Sequence, residues 1–251
     1  MSRASGHKHR RQQGIGTTTL SVAIWSLIGV VAFIASIYLA SGVVWLVRSM
    51  GGIWPMELPV GMMLFQVTVY VILALLMGSA VHYHERLKWI SVSGVTRLMT
   101  WKDTGLSLAG AVIYALSATF VLYLAAQIPG FPLTEQQNLG FSQVYGLERF
   151  IAFIVFVILT PLFEELIFRG FLYGTLRTYK LPWWVPAIVV SVLFGLAHMQ
   201  WNVALDVFCL SMVACALREL TGSIWAGVLL HILKNLVAFM VMFVFVQGAV
   251  G

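Results

Sequence analysis

Three short motifs carry ionisable and amide side chains through strongly apolar stretches: Glu164-Glu165 with Arg169, Phe194 with His198, and His231 with Asn235. Carboxylates and imidazoles move protons and activate water, and an amide can donate to a developing oxyanion. A charge in hydrocarbon costs a few kcal/mol or more, and it is seldom retained without a use. Glu165 and Arg169 are four apart. They share a helix face, in the favoured order with the acid N-terminal, and read as a neutralising pair. Glu164 lies about 100° round the helix and has no basic residue one turn away. A carboxylate placed so can hold and release a proton as a general base or acid, or serve a proton pathway. A lone His198 on an apolar helix would ordinarily be a packing residue, but two histidines beside two glutamates change the balance. His231 and Asn235 present an imidazole and an amide on one face. That imidazole can accept a proton, orient water or bind a metal.

The elements that must position these groups are membrane helices. The 251-residue chain is 60% apolar and only 10% charged, where a soluble domain is nearer a quarter charged. The fold class expected is all-α, a polytopic transmembrane bundle of about seven spans. Apolar length and Pro/Gly punctuation put those spans at roughly 20–47, 59–81, 106–128, 148–177, 183–198, 203–218 and 222–246. The first apolar run is too long for the core of a signal peptide and reads as a retained span. Residues 1–19 read as a basic tail, 20–251 as one transmembrane domain, and 148–240 as the part that carries the chemistry. The connection from His82 to Thr104 has room for a short interfacial helix. Cys209 and Cys215 face different directions on one helix and are read as packing residues rather than a disulfide.

Charge placement gives orientation. Arg3, Lys8, Arg10 and Arg11 precede the first span, Arg86, Lys88, Arg97 and Lys102 follow the second, and Arg177, Lys180 and Arg218 lie in later connections on that side. Only Arg48 and Arg149 fall on the other side. The positive-inside rule puts the N-terminus in the cytoplasm and, with seven spans, the C-terminus outside. The net charge of +6 is therefore spent on topology, and no nucleic-acid partner is indicated.

Helix geometry lets the motifs converge. With a turn near residue 181, Glu164 and His198 are each 17 residues from it, and so at equal depth in an antiparallel hairpin. With a turn near 221, His231 and Asn235 lie 10 and 14 residues beyond it, or roughly 15 to 25 Å from the helix ends with the other two. The same register puts Lys234 level with Asp206. An ion pair between them is expected, because it would cancel two costly charges and hold the last helix so that His231 and Asn235 face a cavity.

Glu-Glu-x-x-x-Arg, Phe-x-x-x-His and His-x-x-x-Asn, in this order on consecutive membrane helices, resemble the CAAX-protease and bacteriocin-processing (CPBP, or Abi) family of intramembrane peptidases. The resemblance covers about residues 148–240. It implies an integral protein of a bacterial plasma membrane that hydrolyses a membrane-associated peptide or protein. It implies Glu164 as the catalytic glutamate and His198 as its water-activating partner. His231 and Asn235 would complete the site and stabilise the oxyanion, with Glu165, Arg169 and Phe194 in support. A divalent metal, zinc, would take Glu164, His198 and His231, a legitimate ligand set. Glutamate and histidine can equally activate water alone, and the sequence leaves both open. The competing classes are a catalytically silent scaffold or immunity-type peptide binder, and a proton-coupled transporter. No repeated halves or paired broken helices favour the transporter. His-Glu-x-x-His and Gly-x-Ser-x-Gly are absent, so zincin and serine-peptidase readings fail.

Overall fold

A computed structural model describes residues 3–85, 89–133, 135 and 144–246. Among them there are helices and no strands: α1 Arg3–Ser49, α2 Pro59–Glu85, a short α3 Trp89–Ser93, α4 Trp101–Ala125 and α5, which runs unbroken from Gly146 to Thr178. Then come α6 Trp184–Leu196, α7 Trp201–Thr221 and α8, which begins as Trp225–Phe239 and continues as a π-helical stretch Met240–Val246. Helices stand at all seven apolar runs. Five of them are long and apolar enough to cross a membrane, within α1, α2, α4, α5 and α8. α6 has only 13 residues, about 20 Å of rise, and falls short of a hydrocarbon core of about 30 Å. α7 has the length but carries Asp206, Arg218 and Glu219. The outer surface is apolar, as lipid contact requires. On α4 alone Leu108, Val112, Ile113, Leu116 and Phe120 are exposed.

The boundaries depart from the apolar runs in two instructive places. α1 is 47 residues long, about 70 Å, more than twice the hydrocarbon thickness. The basic segment read as a tail is thus continuous with the first membrane helix from Arg3 on. α4 starts at Trp101, several residues before the apolar stretch. Asp103 explains this: its carboxylate accepts the Thr100 backbone N–H and hydroxyl, each at 2.8 Å, and caps the first turn. Arg97 closes on the same carboxylate with two bonds of 2.6 and 2.7 Å, and these push the half-buried guanidinium above its ordinary value. The Trp225 indole donates to the Arg97 carbonyl at 2.6 Å, tying this turn to the start of α8. The interfacial helix foreseen after His82 is α3. Its neighbours Arg86 and Lys88 lie outside the described residues.

The packing centres on α5. α1 packs on α2, α6 on α7, and α4 on α7 and α8, while α5 touches α2, α3, α6 and α8. Its core face places Ile167, Phe171, Leu172 and Leu176 among Trp25, Met77 and Cys215. Gly170 and Gly174 make a small-x-x-x-small stripe that lets the α3 backbone approach closely. A Cβ at Gly170 would stand 2.9 Å from the Ser93 carbonyl oxygen, and one at Gly174 would collide with the carbonyl of Val92. α7 and α8 are joined by the expected ion pair, Lys234 Nζ to Asp206 Oδ2 at 3.5 Å. Tyr114 of α4 donates to the other Asp206 oxygen at 2.6 Å.

Two outcomes follow from this packing. Gly174→Ala should lower thermal stability by about 1–3 kcal/mol, the cost of overpacking against a backbone that cannot step aside. Asp206→Asn and Lys234→Met should each lower the melting temperature, and the double change should recover much of the loss through a coupling of about 0.5–3 kcal/mol. Strictly additive losses would reject the pair as a structural unit.

Candidate active site

All three motifs meet in one place. A cavity of about 380 Å³ is lined by Glu164 and Phe168 of α5, Phe194 of α6, His198 in the turn after it, and His231, Lys234 and Asn235 of α8. α2 completes the wall with Met62, Phe65, Gln66, Val69, Tyr70 and Leu73, and α1 adds Phe33 and Ile37. Glu165 and Arg169 do not line it. They sit directly behind, with no solvent exposure at all.

Consecutive glutamates therefore face different surroundings. Glu165 Oε1 lies 2.9 Å from Arg169 Nη1, one turn along the helix. The approach is an ion pair without hydrogen-bond alignment, and the guanidinium carbon also lies over Phe194, 4.6 Å from its ring centroid. Gly227 of α8 makes room for this carboxylate, since a Cβ there would come within 2.8 Å of Glu165 Oε2. Glu164 turns into the cavity. Its Oε1 accepts the Tyr70 hydroxyl at 2.5 Å, and its Oε2 lies 3.5 Å from His231 Nε2.

His231 joins the two acids. Its Nδ1 stands 3.2 Å from Glu165 Oε1, so the two ring nitrogens address the two carboxylates. The result is a continuous polar line: Arg169, Glu165, His231, Glu164, Tyr70. His198 is held differently. Its Nδ1 lies 2.8 Å from the Phe194 carbonyl, which can only accept, so Nδ1 carries the proton and Nε2 of the neutral ring keeps a lone pair. Phe194 is fully buried and packs edge-on against His198, His231 and Phe168, with centroids 5.0, 5.9 and 4.8 Å away. It sets the spacing between both imidazoles and the guanidinium.

Asn235 is fixed by a fault in α5. Residues Phe153–Leu159 are π-helical, and the Thr160 N–H reaches back five residues to the Val155 carbonyl. In that register the Phe156 carbonyl would take its bond from residue 161, which is Pro161 and has no N–H. The carbonyl is left free, and a free backbone acceptor inside a membrane needs a partner. Asn235 Nδ2 donates to it at 2.9 Å. One amide hydrogen is thereby used and the second remains.

The sequence reading names Glu164, His198 and His231 as the ligands of a metal, should one be bound. Among the described residues no three His, Cys, Asp or Glu side chains converge to hold an ion. Tyr70 and its neighbour Gln66, one turn earlier on α2, were not foreseen. Nothing in the sequence separates a tyrosine that holds a carboxylate from one that packs in an apolar helix.

Residues 146–237 match the family described as type II CAAX prenyl endopeptidase Rce1-like. The chain is also 28% identical over 128 residues to an uncharacterized 24.3 kDa protein of Escherichia coli, an alignment covering 49% of this chain and 58% of that one. The chain thus spans little more than half the length of that curated relative. No solved structure matches it. The matched segment begins with α5 and ends just past Asn235, so it contains every residue of the three motifs. Over residues 146–237 this chain is similar to the Rce1-like family, in line with the resemblance to CAAX-type intramembrane peptidases.

Proposed function

We propose that this protein is an intramembrane endopeptidase that hydrolyses a peptide bond by water activated at Glu164. The observation that supports the reading best is the environment of the two glutamates. Glu165 is neutralised by Arg169 and walled off, whereas Glu164 faces a cavity of mixed apolar and polar lining, beside a histidine whose free nitrogen can accept a proton.

A substrate segment lies in the cavity against the apolar side chains of α1 and α2. Glu164 takes a proton from a water oriented by His198 Nε2. The hydroxide adds to the carbonyl carbon, and the second N–H of Asn235 donates to the oxyanion. Protonated Glu164 then passes its proton to the leaving nitrogen as the C–N bond breaks, which restores the carboxylate. His231 holds Glu164 in register with the Glu165–Arg169 pair. The fully buried guanidinium, tucked behind the cavity, keeps that line electrically balanced. The N-terminus is cytoplasmic by the distribution of lysine and arginine, and the substrate is a membrane-associated or membrane-delivered polypeptide.

Glu164→Gln should abolish cleavage of a reconstituted peptide library, with melting temperature nearly unchanged. Glu165→Gln should lower both stability and activity, because it leaves Arg169 buried without its counter-charge, a loss of about 3–5 kcal/mol. Full activity of the Glu164 variant in detergent would overturn the assignment. Peptide binding without turnover by the unaltered protein would point instead to a silent scaffold or immunity-type binder. No step above uses a metal. Prolonged chelation, checked by elemental analysis, should leave turnover within about twofold, and loss of activity restored by added zinc would reject the water mechanism as written.

A further inference from the structure

The family match begins at residue 146, so α1 and α2 lie outside it. Yet α2 supplies six of the residues that line the cavity, and one of them touches Glu164. We infer that Tyr70 is a positioning residue of the site, and that its hydroxyl fixes which oxygen of Glu164 is free to meet water. This rests on the reading of Glu164 as the general base.

Glu164 has two oxygens and two protein partners on different helices. Tyr70 donates to Oε1 from α2, and His231 stands at Oε2 from α8. A carboxylate held from both sides cannot rotate about its last torsion, which is otherwise broad and soft. The Tyr70 hydroxyl has no such freedom either. Its ring lies parallel to that of Phe163, 6.2 Å between centroids, on the residue that immediately precedes Glu164. The phenol and the carboxylate are thus indexed to the same turn of α5. Gln66 is beside the hydroxyl on the same face of α2. Oε1 is therefore occupied by a donor, and the proton from water must be taken at Oε2, on the side of His231. Without the hydroxyl the carboxylate is held from one side only, and its plane is free to swing about that torsion away from the water it must meet.

Tyr70→Phe removes the hydroxyl and keeps the ring against Phe163, so folding should survive. The expected kinetic result is a kcat lowered about 10- to 100-fold, the range of a hydrogen bond to a charged group, with KM within about twofold. A second readout does not depend on turnover. In infrared difference spectra, the carboxyl or carboxylate band that disappears in Glu164→Gln should shift in Tyr70→Phe. Gln66→Leu should move that band less than Tyr70→Phe does. An unshifted Glu164 band in a folded Tyr70→Phe protein, or unchanged kcat, would overturn the inference while leaving Glu164 as the base. An active Glu164→Gln protein would overturn the base assignment instead. A shifted band would then establish only that Tyr70 orders a buried acid.

Discussion

A carboxylate and a guanidinium with no access to solvent are an unfavourable thing to bury, and α5 buries both within one turn. Their attraction offsets part of the desolvation cost only while each has the other, so the pair is intolerant of change in either member. The rest of the site is arranged around that constraint. Phe194 covers the guanidinium with its ring face. Gly227 withholds a side chain where the carboxylate needs space. His231 turns one nitrogen to the pair and the other to Glu164. The charge that cannot move thus fixes the orientation of the group that is proposed to exchange protons.

Large parts of this were legible beforehand, for a physical reason. In an apolar helix a polar residue stands out, and helical spacing of three or four says which polar residues share a face. Glu164, Glu165, Arg169, His198, His231 and Asn235 could be picked out on those grounds, and equal distance from a turn rightly suggested that they meet. The same arithmetic levelled Lys234 with Asp206, which are 3.5 Å apart. Even the different surroundings of the two neighbouring glutamates follow from the turn angle of a helix.

What was not legible falls into two kinds. Helix ends were misplaced where polar residues belong to the helix, as in the Thr100–Asp103 cap and the basic start of α1, because apolar length measures the membrane rather than the hydrogen-bonded ladder. Contributions that sequence spacing does not encode were missed altogether. The phenol of Tyr70 reaches Glu164 across a sequence separation of 94. The acceptor for Asn235 is a backbone carbonyl, which has no letter in the sequence.

The π-helical stretch before Pro161 has a further meaning. Such a stretch is an α-helix that has accommodated one residue too many, and it shifts the phase of everything beyond it. Glu164 stands three residues past Pro161, so its direction around the helix axis is inherited from that extra residue. Were the same seven residues wound as ordinary α-helix, the following segment would turn by about 100°. The motif letters would be unchanged, yet Glu164 would leave the cavity and the Phe156 carbonyl would no longer call for an amide. In distant relatives, then, the winding of the segment preceding the glutamates is as much a part of the signature as the glutamates. A chain that keeps every motif residue and the same length but winds that segment as plain α-helix carries the letters of the site without its geometry.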